Sequence, residues 1–481
     1  MSKMDPIKVK ILDQITTPYD DVIPSVEDPA AKFYTDVFRI YLGLYSNSIT
    51  MDEAVIASEE LKENPEFARH PVNPTYYAIN AVYFDKAIEN LRTLNKYKMF
   101  TPDAIRSALS FAFLIDFAPV PYNDLHVLKH LALEPLATGR RMSSIIGIAQ
   151  NTALAAIERL KQKNNIRFSC HDDNTAFGLE RILVFFELRR SSDWQMLENI
   201  FVSYPFMKVF SKPVNANVGY VGFAIPSDVL SIQKSSIRSV LGPYFKRLSI
   251  HNLETIGSTS NLSLFDGNDW NYPEQLESCL ENGEFPNQTG QIKRMEFKGL
   301  LDNLRPLDFA VSSHLVLDSR RGPKELCSVL RRKGWDVSRG QVANSFRKTF
   351  EKELILPFLY TPGIGLPANF CFEIICDSKR SEQILSALSL TPITVYSISD
   401  RGLIIWVSMP GQHQADYYNQ IANLVNLSDV ESVQPIITVG RRGSRGIMDM
   451  VKQCEWKGGR WTTLRDVVDF ESYINPDIIP Y

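Results

Sequence analysis

Ten Lys and Arg residues fall between Arg320 and Lys352: Arg320, Arg321, Lys324, Arg331, Arg332, Lys333, Arg339, Arg347, Lys348 and Lys352. They face three acids, Glu325, Asp336 and Glu351, in a chain of 481 residues with a formal net charge of −3. Cations at this density suit one kind of chemistry, the replacement of counterions along a polyphosphate. Ser338, Arg339, Gln341 and Asn344 open a helix-like run beside them. Arg pairs with guanine, and Asn or Gln with adenine, through two hydrogen bonds each, so such a set can read base edges. A weaker concentration lies upstream, where Arg140, Arg141, Arg159, Lys161, Lys163 and Arg167 face Glu158 alone, and Gln150, Asn151 and Thr152 start a helical run. The residues expected to contact DNA are therefore Arg140, Arg141, Gln150, Asn151, Thr152, Arg159 and Lys163 in one stretch. In the other they are Arg320, Arg321, Lys324, Arg339, Gln341, Asn344, Arg347 and Lys348.

Bond-making chemistry has little to stand on. The sequence holds no GxSxG, HExxH, P-loop or strand-to-helix GxGxxG pattern. Thr361 to Pro367, TPGIGLP, contains GxG, but no helix pattern follows to receive a phosphate, and a turn is expected. His171, Asp172 and Asp173 are adjacent, whereas a metal site draws ligands from several elements, so they read as a polar turn. Six scattered cysteines lack any CxxC pair and read as reduced core thiols. The expectation is a protein that is not an enzyme and takes no metal or cofactor. A pI of 6.2 leaves nucleic-acid binding to local patches. The N-terminus lacks a signal-peptide run, and no uninterrupted apolar stretch could span a bilayer, so a cytoplasmic protein with no membrane contact is expected.

The elements that must position these residues follow from periodicity. Residues 1–30, with prolines and acids, read as an extended arm, and 31–120 as a helical N-terminal domain with period near 3.6. Within it Thr101 and Pro102 suit a helix start, and the aromatic Tyr76, Tyr77, Tyr83 and Phe84 suit core packing. Residues 121–178 give three helices and then a small β-wing near His171 to Thr175, the outline of a winged helix-turn-helix. Residues 179–265 read strand, helix, strand, strand, helix, strand, the order of a ferredoxin-like sheet with helices on one face. After a linker at 266–300, the pattern returns as a second winged helix-turn-helix at 301–366 and a second ferredoxin-like domain at 367–442. Residues 443–481 read as a basic C-terminal tail whose last stretch regains apolar spacing. A repeat of this length makes one chain imitate a homodimer.

This succession resembles the Lrp/AsnC (feast/famine) transcription regulators over Asp124 to Arg442, roughly two thirds of the chain. The residues that carry the resemblance are Gly219-Tyr220 and Gly402-Leu403 in the central hairpins and the closing VESVQPIITVG. An acid that often follows the hairpin aromatic is Val221 here and Ile404 in the second copy. The resemblance implies an α+β fold, double-stranded DNA as partner, and a small-molecule effector held around Gly219, Tyr220 and Gly402. It also implies oligomerisation through the ferredoxin-like sheets. An alternative is an enzyme resembling the Lrp-like haem-pathway (sirohaem) decarboxylases, which share the scaffold and would draw on His251 and Arg247. A third reading is a protein-protein interaction scaffold with degenerate heads.

Overall fold

The computed structural model describes residues 10–69, 72, 74, 81–98, 100, 105, 119–164, 166–213, 217–282, 290–366, 368–410, 413–437, 440–444 and 446–474. Two compact units divide it, Met1–Phe117 and Ala118–Pro480. The first is helical: α1 (Pro29–Tyr45), α2 (Met51–Glu60), α3 (Pro65–Arg69) and α4 (Ala81–Tyr97). Asp28 caps α1 by accepting from Ala30 N and Ala31 N, and Thr50 with Glu53 forms a capping box on α2. Phe33, Phe38, Leu42, Ala57, Phe84 and Leu91 fill the centre. The described part of the expected arm is packed on these helices, because Leu12, Ile15, Val22 and Ile23 are buried among them. Glu60 accepts from the backbone of Ile11 and Leu12 at 3.0 and 2.8 Å, which satisfies polar groups the apolar burial would otherwise strand. Tyr76, Tyr77 and the helix start at Thr101 lie outside the described residues.

The second unit is α+β with antiparallel sheets. It opens with α5 (Tyr122–Leu133), α6 (Gly139–Ile146), α7 (Gln150–Lys163) and the strand β1 (Arg167–Asp172). A βαββαβ run follows: β2 (Leu179–Leu188), α8 (Trp194–Ser203), β3 (Met207–Pro213), β4 (Val218–Pro226), α9 (Leu230–Ser236) and β5 (Phe245–Ser260). After α10 (Leu276–Asn282) and β6 (Gln291–Glu296) the helical trio returns as α11 (Pro306–Leu317), α12 (Pro323–Arg332) and α13 (Arg339–Glu351), with β7 (Ile355–Tyr360) behind it. The second run is β8 (Ala368–Cys376), α14 (Ser378–Leu388), β9 (Ile393–Ser399), β10 (Gly402–Ser408), α15 (Gln414–Ala422) and β11 (Val430–Ile437). Last come β12 (Gly440–Ser444), α16 (Ile447–Met450), β13 (Glu455–Lys457), β14 (Arg460–Thr462), α17 (Arg465–Val468) and α18 (Glu471–Ile474).

Strand order runs β11-β8-β10-β9-β5-β2-β4-β3-β12, so within each run the first strand lies between the third and the fourth. The halves trade strands. The first part of β5 pairs with β2 and its last part, Leu253 to Ser260, with β9 of the other half. Reciprocally β12, following β11, pairs with β3 of the first half. Period-two alternation then sorts the side chains. Ile182, Val184 and Phe186 of β2 pack with Trp194, Leu197 and Phe201 of α8, while Leu183 and Phe185 turn the other way, to Tyr220, Cys371, Ile404 and Ile436. The inner face of each half is covered within one chain.

Three regions differ from their sequence readings. The stretch 266–300, whose Asn, Gly and Pro read as a linker, carries α10 and β6; Leu276 and Leu280 are buried in the core of the second half, and β6 pairs with β5. Elements of six or seven residues are too short to rise above that composition. The wing expected near His171 does not form by itself. Instead β1 pairs antiparallel with β7, from Arg167 opposite Tyr360 to Asp172 opposite Ile355, so the strands behind the two trios meet each other. The C-terminal stretch, read as a basic tail, contributes core: Val468 and Phe470 are fully buried in the first half, and Phe470 stacks on Tyr204 at 4.2 Å. Among the described residues no helix is long and apolar enough to cross a membrane. Phe470→Ala is expected to lower stability by about 3–5 kcal/mol in urea unfolding; a change under about 1 kcal/mol would place residue 470 outside the core.

Candidate functional site

The two helical trios are copies at the level of single positions. In each, the first helix has twelve residues with Asp third, Asp124 in α5 and Asp308 in α11. The third helix buries its fourth, seventh and eleventh residues: Ala153, Ala156 and Leu160 in α7, Val342, Ser345 and Thr349 in α13. Its tenth residue is a cation that reaches the Asp of the first helix. Arg159 donates through Nε and Nη2 to Asp124 at 2.9 and 2.7 Å. Lys348 Nζ donates to Asp308 at 2.9 Å, and Ser345 Oγ adds a second bond at 2.6 Å. Both carboxylates are buried, so each needs its partner; Lys348 is largely covered, whereas Arg159 keeps 42% of its side chain exposed, so solvent screens the first tie more than the second. Together with the buried residues of the third helix, the tie fixes its roll and thereby which residues face out.

The turn before the third helix is also built locally. In the second head Gly334 adopts φ +86°, and Trp335 N bonds Leu330 O while Gly334 N bonds Arg331 O, a motif that closes α12 and sends the chain toward α13. Ser338 then caps α13, accepting from Gln341 N, while the Gln341 side-chain oxygen accepts from Ser338 N at 2.7 Å. In the first head Gly147 takes the same left-handed conformation after α6, whose start is capped by Thr138.

These frames decide where the fifteen candidate residues lie. Arg140, Arg141, Gln150, Asn151, Thr152, Lys163, Lys324, Arg339, Gln341, Asn344 and Arg347 are exposed. Of these, Arg141 sits 3.3 Å from Glu134, and Arg347 sits 3.5 Å from Glu351. Arg159 and Lys348 are committed to the ties with Asp124 and Asp308. Arg320 and Arg321 are not surface cations. The Arg320 guanidinium donates to Pro135 O and Ala137 O at 3.1 and 2.9 Å and lies over the Phe168 ring, clamping the second trio to the first; Arg321 is buried. Charge counting groups all four with the outward set, because it does not register which helix face a cation occupies. The acids that hold two of them, Asp124 and Asp308, become visible only when the trios are aligned helix by helix.

His171, Asp172 and Asp173 form a buried group rather than a polar turn. Asp172 bonds the buried Arg181 and lies 3.7 Å from Lys208; burial would raise its carboxyl, but these cations hold it well below the usual range. His171 stacks on Phe358 at 4.3 Å, and burial depresses its pKa to about 3. Asp173 accepts from Thr175 and from Lys298 N. The group fastens the β1–β7 pair to the large sheet.

Between the two halves lies a second polar cluster. His251 Nε2 meets Glu373 at 2.7 Å, its Nδ1 meets Ser399 Oγ at 2.9 Å, and Arg247 donates to Glu373 at 2.7 Å and to Gln434 at 3.1 Å. Arg401 donates to Ser249 Oγ at 2.7 Å. His251 and Arg247, named from sequence for the enzyme alternative, are thus brought together. Glu373 was missed, although an acid inside the apolar FCFEIIC signals a buried charge. Tyr220 is buried here too, its hydroxyl accepting from Trp406 Nε1 at 3.1 Å. Gly219 lies against the Trp194 ring, and Gly402 against Ile374 O, each at a distance that admits no side chain. The three effector candidates therefore stand in close-packed surroundings.

No protein-family model and no curated protein sequence matches the chain. Among solved structures it is similar to the siroheme decarboxylase NirDL, at 13% identity over 73% of this chain and 98% of that one, with a TM-score of 0.37. It is also similar to NirDL in complex with an iron-uroporphyrin III analogue, at 11% identity over 66% and 90%, TM-score 0.35. PH0061 is matched at 18% identity over 28% and 91%, TM-score 0.22. At these scores the likenesses carry no argument about activity.

Burial would raise the Glu373 carboxyl, but the His251 hydrogen bond and the Arg247 charge outweigh it, and its pKa falls below the ordinary value. A depressed carboxylate pKa gives stability that is complete above the unfolded value, near ~4.3, and fades as pH falls through the folded one. Glu373→Gln is therefore expected to cost about 3 kcal/mol at pH 7 in urea unfolding, by the usual penalty of breaking a buried pair, and less as pH falls below about 4. A penalty that stays constant with pH contradicts this.

Proposed function

We propose that the chain is a DNA-binding regulator of Lrp/AsnC type, with two winged helix-turn-helix heads carried on two ferredoxin-like domains in a single chain. One observation carries the reading: α13 is rolled by the Asp308 tie so that Arg339, Asn344 and Arg347 face solvent together beyond a capped N-terminus. The spacing puts a guanidinium, an amide and a second guanidinium along one side of a helix of major-groove width. Lys324 on α12 and Arg140 and Lys163 on the first head supply exposed cations for phosphates.

An enzyme on the same scaffold is the second reading, and the observation in its favour is the buried His251–Glu373–Arg247 group between the halves. That group is hydrogen-bonded internally, as expected of a device that locks two halves, so it supports the enzyme reading less than α13 supports the regulator. Absorbance near about 400 nm from the purified protein would favour a bound tetrapyrrole and the enzyme.

Binding to random duplex, followed by fluorescence anisotropy, is expected to weaken steeply as salt rises, with log K falling by about 0.9 per phosphate contact for each unit of log salt. Arg339→Ala and Arg347→Ala are each expected to weaken duplex binding by about 1–3 kcal/mol. Absence of binding at about 50 mM salt, where phosphate contacts are strongest, contradicts the regulator.

A further inference from the structure

Aligning the heads through their buried ties shows that their outward faces are unlike. On the third helix the first, sixth and ninth residues are exposed in both copies. In the second head they are Arg339, Asn344 and Arg347; in the first they are Gln150, Ala155 and Glu158. The fifth residue of the first head, Leu154, is an exposed apolar side chain. Gln150 and its exposed neighbours Asn151 and Thr152 keep polar groups at the start of the first head's third helix, but along the rest of that face a methyl group replaces the Asn344 amide and a carboxylate stands where the second head has the Arg347 guanidinium. Glu158 would meet the phosphate field with the wrong sign, and Ala155 has no donor for a base edge. The cations that the first head does expose, Arg140, Arg141, Lys161 and Lys163, lie on its second helix or in the last turn of its third. There they suit phosphates, which carry no sequence information.

We infer that base readout is confined to the second head, and that the first contributes only sequence-independent phosphate contacts. This rests on the proposed regulator reading and sharpens it: the chain recognises one half-site, not two. The heads are joined through β1–β7 and the Arg320 clamp, so the non-reading head is carried at a fixed place beside the reading one. The recognised sequence is then a single block without a second block at a set distance.

In vitro selection from random duplexes with the full chain tests this, followed by anisotropy on the selected and a scrambled duplex. Wild type is expected to select one non-palindromic block. Arg339→Ala with Asn344→Ala should remove the preference, lowering affinity for the selected duplex by roughly five- to 150-fold for each base-reading side chain removed, while the scrambled duplex changes little. Gln150→Ala, Asn151→Ala and Thr152→Ala together should leave the selected block and the affinity ratio unchanged. Lys163→Ala should weaken both duplexes equally and reduce the salt slope. All these positions are exposed, and an unchanged thermal melt checks folding of each variant. Recovery of two blocks, or an altered block from the triple variant, overturns the inference and leaves the regulator reading standing. Failure of wild type to bind any duplex brings down both.

Discussion

A buried carboxylate on the first helix of each head, Asp124 or Asp308, holds a cation at the tenth residue of the third helix, and the outward face of that helix follows from the tie. A carboxylate taken out of water needs its partner in place, so the tie tolerates little departure from its geometry. Rolled this way, each third helix buries its fourth, seventh and eleventh residues and presents its first, sixth and ninth. The same constraint withdraws Arg159 and Lys348 from the surface chemistry that their charge suggests. It also makes the heads comparable residue by residue, and that comparison exposes the difference between them.

Exchange of strands between the halves is the second constraint. Because β5 serves both β2 and β9, and β12 returns to β3, neither half completes its sheet without the other. The inner faces meet over Phe185, Tyr220 and Ile404, and the His251–Glu373–Arg247 group sits at their edge as a polar element of the same interface. A buried network of this kind adds specificity to an apolar contact that would otherwise tolerate sliding. The heads inherit this rigidity through β1 and β7, which the Asp172–Arg181 pair anchors to the first strand of the large sheet.

Much of this was legible in the sequence, for physical reasons that can be named. Helices α11 to α13 and α5 to α7 declared themselves by their apolar spacing, a local signal. Both βαββαβ runs were readable because apolar strands such as ITVYSIS and GLIIWVS stand between polar turns. What stayed hidden depends on distant partners. Pairing of β1 with β7 joins segments far apart in the chain, and nothing in RFSCHD distinguishes a wing from a shared strand. Arg320 and Arg321 look like their neighbours until the backbone carbonyls of Pro135 and Ala137 are placed against one of them. The short α10 and β6 were masked by the Asn and Gly around them.

The central claim is that the outward face of α13 lies against bases. A photo-crosslinking amino acid placed at Asn344, and separately at the equivalent Ala155 of the first head, tests it by mapping adducts on a bound duplex. The account predicts base adducts within one short block from position 344 and none from position 155. Base adducts from position 155, or adducts from 344 confined to the phosphate backbone, would contradict it.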